Sequence, residues 1–189
     1  MLERGNANAE RSKREISWAL LGLMQDGAPF EKITVTQIAK RSGYSRQTFY
    51  QHFSNKEDAL LYLLEDRFDH YFEQMKRLPF TSREALVDAV CTIAMKVYWD
   101  TSVNFAEILV SNGLTVLLVE FLADAWREFF EHYREFFPMP QYSEREREYV
   151  YRHIAGGPLA MMYAWKSKED TEEGEIELLL KKLIARTVL

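Results

Sequence analysis

The chain has 189 residues, of which 47% are hydrophobic and 28% charged, a composition that excludes intrinsic disorder and supports a sizeable core. Eight Gly and five Pro are too few for the turns of an all-β sandwich, so a mostly helical protein is expected. Its one cysteine, Cys91, excludes an internal disulfide, and no metal site or cofactor is predicted. The first twenty residues lack the apolar stretch of a signal peptide, and no long apolar run follows. We therefore expect a soluble, cytoplasmic protein without membrane contact.

Charge is distributed unevenly along the chain. Residues 1–56 carry nine Lys and Arg against five acidic residues, a net charge of +4. Residues 57–189 carry 15 basic and 24 acidic residues, a net charge of −9. This pattern is typical of a protein whose first part meets a polyanion while the remainder does not, although a charge run is also typical of a solvated face.

Apolar periodicity predicts helices throughout. Their expected ranges are about 9–26, two short helices before residue 55, and then 55–77, 82–99, 103–111, 114–137, 144–166 and 172–188. Capping pairs are predicted at Thr34 and Gln37, Ser54 and Glu57, Thr81 and Glu84, and Ser143 and Glu146. Pro158 lies inside the penultimate helix, where a kink is expected because proline removes a backbone donor.

Residues 33–60 have the pattern of a helix-turn-helix. Val35, Ile38 and Ala39 give the first short helix an apolar face, and Gly43 suits the turn because it tolerates positive φ. Ser45 caps the second helix, whose Phe49 and Phe53 point inward. The outward residues Arg46 and Gln47 suit base reading, because Arg and Gln bond bidentately to guanine and adenine edges in the major groove. Thr34, Thr36 and Lys56 lie at helix starts that favour a phosphate.

These residues resemble the tetracycline-repressor (TetR) family of bacterial transcriptional regulators. The matching positions are Thr34, Ile38-Ala39, Gly43, Ser45, Thr48, Tyr50, His52-Phe53, Lys56-Glu57 and Leu60, within a region from about Arg11 to Leu64. Tyr44 departs from the valine that is usual at the turn. The resemblance implies DNA contacts from Thr34, Thr36, Arg46, Gln47, Thr48, Tyr50, His52 and Lys56, with a double-stranded operator as the partner.

The C-terminal part resembles a Firmicutes-type branch of that family, through the stretch YRHIAGGPLAMMYAWKSKEDTEEGEIELLLKKLI. This resemblance implies that the last two helices pair with their equivalents in a second subunit. The apolar stripe of the final helix has to be buried and is the predicted dimer interface. It consists of Ile176, Leu179, Leu180, Leu183 and Ile184.

Aromatic residues are concentrated between Tyr98 and Phe137, and such residues either line a ligand pocket or fill a core. As pocket residues for a small organic effector we predict Trp99, Phe105, Phe121, Trp126 and Tyr163. The sequence lacks a nucleophile with a base, so no catalytic residues and no enzyme are predicted.

Taken together, the sequence predicts an all-α protein with an N-terminal three-helix DNA-binding domain. The expected domains are residues 1–56 and 57–189, joined by the long helix over 55–77. The predicted function is a ligand-responsive repressor that binds a palindromic operator as a homodimer. The alternative is a DNA-bound adaptor or coregulator that is controlled by a protein partner and has no small-molecule pocket.

Overall fold

The computed structural model describes residues 2–77, 80, 82–99, 105–136, 138–168 and 173–187, which are all-helical and contain no strand. A 3-10 helix, Phe30–Lys32, lies between the first two α-helices. The α-helices are α1 Leu2–Gln25, α2 Val35–Ser42, α3 Arg46–His52, α4 Lys56–Lys76, α5 Arg83–Trp99, α6 Phe105–Ser111, α7 Thr115–His132, α8 Glu144–Lys168 and α9 Glu173–Thr187. The all-α prediction is confirmed. Contacts divide the chain into two compact units, Met1–His70 and Tyr71–Leu189.

In the first unit, α1 packs against α2 and α3, and α2 packs against α3. Ile16, Leu20 and Leu21 of α1 are fully buried. The helix begins at Leu2 and not near residue 9 as predicted. The sequence does not indicate this start, because Gly5, Asn6 and Asn8 are weak helix formers. Helix propensity is a weak determinant, and here continuity with the buried part of α1 outweighs it.

In the second unit, α7 packs against α8, and α9 packs against both α5 and α8. The Nζ of Lys181 on α9 lies 3.3 Å from a carboxylate oxygen of Asp88 on α5. The α8 helix continues through Pro158. The prediction that α7 reaches residue 137 is wrong, because it ends at His132 and residues 133–136 form turns that lead to Pro138.

Two predicted capping pairs are confirmed. Thr34 and Gln37 form a reciprocal capping box, and Ser143 exchanges hydrogen bonds with Glu146. The prediction for Ser54 is wrong by one residue, since the Asn55 side chain accepts from the backbone N–H of Asp58 at 2.8 Å. Thr81 lies outside the described residues. At the start of α5, the Ser82 hydroxyl accepts from the backbone N–H of Ala85 at 3.2 Å.

Candidate nucleic-acid interface

Local hydrogen bonds set the turn between α2 and α3. The Thr34 hydroxyl accepts from the Gln37 N–H, and the Gln37 side chain accepts from the Thr34 N–H at 2.8 Å. Gly43 ends α2 with φ +77°, a left-handed conformation that glycine adopts without strain. Ser45 then caps α3 by accepting from the Thr48 N–H at 3.0 Å. The predicted helix-turn-helix is therefore present at the predicted positions.

The α3 helix has one buried face and one exposed face. Phe49 is fully buried, and its ring centroid lies 5.7 Å from that of the buried Phe53. Arg46 and Gln47 are exposed at the N-terminal end, and Tyr50 is 53% exposed. Because the inner aromatics anchor the helix, these side chains are presented to solvent from a rigid support.

The threonines predicted to contact DNA differ in their partners. The Thr34 hydroxyl donates to the Gln37 side chain at 2.9 Å, and the Thr48 hydroxyl lies 2.9 Å from that of Ser45. Thr36 is exposed on the first turn of α2. The hydroxyls of Thr34 and Thr48 therefore take part in the caps that start α2 and α3.

His52 and Lys56 are also engaged within the first unit. The Nε2 of His52 lies 2.7 Å from the hydroxyl of the buried Ser12 on α1. The Lys56 ammonium donates to three backbone carbonyls around the 3-10 helix, at distances of 2.6, 3.1 and 3.3 Å. It also lies 4.4 Å from the centroid of the Phe30 ring. An ammonium has three N–H donors, so a phosphate contact from Lys56 requires one of these bonds to be exchanged.

Sequence reasoning missed the polar contacts that join α1 to the helix-turn-helix. Tyr44 donates to Glu15 at 2.6 Å, and Glu15 also accepts from Arg11 at 2.9 Å. The hydrogen bond from Tyr44, followed by that from Arg11, lowers the pKa of Glu15. The departure from valine at Tyr44 was the signal for this contact, because a phenol can reach a carboxylate that valine cannot.

A second contact joins α1 to α2. Arg41 donates to Asp26 just beyond the end of α1. A Cβ on Gly22 would lie 2.6 Å from the Arg41 guanidinium, so the glycine leaves room for this side chain against α1. The Arg41 head group is flexible, so a larger residue at this position would displace it from Asp26.

Polar pairs also connect α1 to the first half of α4. Arg14 donates to Asp66 at 2.9 Å, and Tyr62 donates to Glu10 at 3.1 Å. Burial, with the Glu10 hydrogen bond as the next cause, raises the pKa of Tyr62 to about 12. The phenol is therefore a neutral donor throughout the physiological range.

The described side chains among the predicted pocket residues differ in their burial. Phe105 and Trp126 are buried, Phe121 is half-buried, and Tyr163 is 53% exposed. The Trp126 ring lies 5.5 Å from that of Phe129, within an aromatic cluster. The side chain of Trp99 lies outside the described residues.

The predicted dimer residues fall on two faces of α9. Ile176 and Leu180 are buried within the chain itself. Leu179 is 45% and Leu183 is 42% exposed. The side chain of Ile184 lies outside the described residues.

The family profile described as bacterial regulatory proteins, tetR family, matches residues 27–63, which include both short helices and the start of α4. The chain carries a TetR-family DNA-binding domain. A curated relative, the uncharacterized HTH-type transcriptional regulator YwcC of Bacillus subtilis strain 168, is 37% identical over 81 residues. This similarity covers 37% of the present chain and 36% of the relative, so the chain matches only about a third of that protein's length.

Two solved structures are distantly similar over most of the chain. The fatty acid degradation regulator FadR from Bacillus halodurans is 19% identical with a TM-score of 0.48, covering 94% of each chain. FadR from Bacillus subtilis in complex with stearoyl-CoA is 16% identical with a TM-score of 0.45, covering 93% of this chain and 97% of that one.

Within the described ranges, no three His, Cys, Asp or Glu side chains form a group that could hold a metal ion. The helices of the same ranges include none that is long and apolar enough to cross a membrane.

Proposed function

We propose that this chain is a cytoplasmic transcriptional repressor that binds a palindromic operator as a homodimer. The observation that carries the proposal is the N-terminal end of α3, where Arg46 and Gln47 are exposed while Phe49 anchors the opposite face. A recognition helix needs this arrangement, because base edges are read by side chains at its N-terminal end. The match to a TetR-family domain over residues 27–63 supports the same role.

We infer three different roles for the eight predicted DNA residues. We assign base reading to Arg46 and Gln47, and backbone contacts to the exposed Thr36 and Tyr50. The other four have hydrogen bonds within the domain and position the helices, with DNA contact as their second role. They are Thr34, Thr48, His52 and Lys56.

Selection of bound duplexes from a random pool tests the base-reading role. Arg46→Ala and Gln47→Ala should each reduce discrimination between the selected site and a mismatched site by about 1–3 kcal/mol. The matched control is Gln51→Ala, which removes an exposed side chain from the other end of α3. If Arg46→Ala selects the parent's site with unchanged affinity and discrimination, α3 is not the recognition helix.

A two-fold operator calls for a two-fold protein with recognition helices about 34–36 Å apart. We place the interface on the exposed apolar side of α9, at Leu179 and Leu183, because Ile176 and Leu180 are already covered within one chain. Leu180→Glu would therefore unfold the chain and would not test assembly. Leu179→Glu places a charge on the proposed interface and leaves the buried face intact.

The control for assembly is Leu178→Glu, because Leu178 is 53% exposed and lies about 100° away around the helix. Light scattering at micromolar concentration should show a dimer for the parent and for Leu178→Glu, and a monomer for Leu179→Glu. A monomeric parent contradicts the dimer. Dissociation by both variants alike contradicts this position of the interface.

We further propose that a small organic effector changes operator affinity. The second candidate is an adaptor controlled by a protein partner, which the packing of Trp126, Phe129 and Phe130 against one another favours. The small-molecule fraction of a cell extract, freed of macromolecules by filtration, separates the two. Release of the operator by this fraction supports the effector, whereas release only by the retained macromolecules supports the adaptor.

A further inference from the structure

A cavity of about 360 Å³ lies at the C-terminal end of α7 and the first turns of α8. Its volume is at the lower end of the range for small-molecule sites, roughly 300–1,000 Å³. The lining combines an apolar floor with a rim of charges of both signs. The residues are Phe130, Glu131, Arg134, Glu135, Pro138, Met139, Arg147 and Tyr151.

The floor is aromatic and almost fully buried. The rings of Phe130 and Tyr151 stack with centroids 5.8 Å apart and an interplanar angle of 19°. Met139 is also buried and lines the same cavity. Stacked rings beside a thioether give a surface that suits an apolar or aromatic group.

The Tyr151 side chain supplies a polar group to the cavity lining. The residue is only 3% exposed and lines the cavity. Burial, followed by the nearby Glu131 carboxylate, raises the pKa of Tyr151, so the phenol stays neutral. A neutral phenol can donate a hydrogen bond to a negatively charged group in the cavity.

The loop that lines one side of the cavity has a strained backbone. Met139 has φ +42°, a left-handed conformation that is unfavourable for a residue other than glycine. The Tyr142 N–H donates to the Met139 carbonyl, and the capping pair of Ser143 and Glu146 fixes the next residues. Such strain is concentrated at ligand sites, where the surrounding structure holds it in place.

The rim presents two arginines and two glutamates. The Nε of Arg147 donates to the Tyr142 carbonyl at 3.4 Å, which leaves the terminal guanidinium nitrogens for a ligand. Within the described ranges, none of the four rim side chains forms an ion pair. A ligand with both a negative and a positive group would match this rim.

We propose that this cavity binds a small zwitterion with an apolar side chain, of the class of the α-amino acids. The ligand carboxylate contacts Arg134 and Arg147, and the Tyr151 hydroxyl donates to the same group. The ligand ammonium contacts Glu131 and Glu135, and the apolar side chain lies on the stacked rings. The assignment of this ligand as the effector rests on the proposed function, whereas the binding itself does not require DNA.

Calorimetric titration of the full chain tests the ligand class, with L-phenylalanine, L-leucine and L-methionine as probes. Phenylacetate and phenethylamine each lack one charged group of phenylalanine. Each should bind at least about tenfold more weakly than phenylalanine, because a charge-assisted hydrogen bond is lost. Equal binding of phenylalanine and phenylacetate overturns the zwitterion, and absence of binding by all three amino acids overturns the site.

Variants locate the site. Arg147→Gln and Tyr151→Phe should each weaken binding by about tenfold, and Tyr151→Phe retains the stacked ring. Arg145→Gln is the matched control, because Arg145 is exposed on the same turn of α8 and does not line the cavity. Circular dichroism checks that all three variants are folded. Binding that none of the cavity variants weakens would place the ligand elsewhere.

Failure of this inference is distinguishable from failure of the proposed function. Operator binding without ligand tests the DNA-binding role, and titration without DNA tests the cavity. If the parent binds its operator but none of the amino acids, only the ligand site is wrong. If it binds an amino acid but selects no DNA site, only the regulatory function is wrong.

Discussion

The two compact units differ in the sequence separation of the contacts that form within each of them. In the first unit, the bonds that cap the two short helices join residues three positions apart, as in the capping box of Thr34 and Gln37 and the cap at Ser45. In the second unit, α7 and α8 are joined by ion pairs between residues far apart in sequence. Arg127 bonds Glu148, and Arg152 bonds Glu120. Local signals therefore predict the first site, whereas the second depends on how the helices pack.

The largest expected effect comes from the anchor of α3. Phe49→Ala removes a fully buried ring and should cost about 3–5 kcal/mol of unfolding free energy through the cavity that it leaves. Denaturant unfolding followed by circular dichroism measures this loss. Tyr50→Ala, on the exposed side of the same helix, should cost far less. Equal losses for the two variants would show that α3 is not packed as described.

Lys56 is an exception to the local contacts of the first unit, because its ammonium donates to three backbone carbonyls that are distant in sequence. Lys56→Met should lower the unfolding free energy by about 2 kcal/mol, since charged hydrogen bonds are lost. Lys40→Met, at an exposed position of α2, should leave stability unchanged. The salt dependence of operator binding separates the two roles. A slope reduced by about one with unchanged stability would show that Lys56 acts at a phosphate instead.

The ion pairs between α7 and α8 should contribute less. Arg127 contacts Glu148 through two nitrogens, at 2.9 and 2.5 Å, but both side chains are more than a third exposed. A double-mutant cycle with Arg127→Met and Glu148→Gln should give a coupling energy of about 0.2–1 kcal/mol that falls at high salt. A larger coupling that is insensitive to salt would indicate a desolvated pair.

The smallest expected effect concerns pH. Glu15 has a lowered pKa, so its contribution to stability is present above its ordinary value of 4.5 and is lost as the pH falls through the lowered value. Tyr44→Phe removes the hydrogen bond that is the main cause of this shift. The variant should therefore lose less stability than the parent on acidification. Unfolding measured from neutral to acidic pH tests this, and parallel curves for the two proteins would contradict it.

The sequence alone determined the helix-turn-helix and most helix positions. Gly43 has the positive φ that its place after α2 predicts, and the spacing of Phe49 and Phe53 correctly predicts the buried face of α3. These features could be predicted because capping, turn chemistry and helical periodicity depend on residues close together in the chain.

Only the tertiary structure decided which polar and apolar groups find partners. It placed Lys56 on carbonyls and Tyr44 on Glu15, buried Leu180 within its own chain and left Leu179 exposed. It also formed a cavity lined by Phe130, Met139 and Tyr151, which helical periodicity did not predict. These outcomes depend on helix orientation and on contacts across long sequence separations, which periodicity does not encode. A stripe of leucines predicts burial, but the packing of the neighbouring helices decides which part of it is covered.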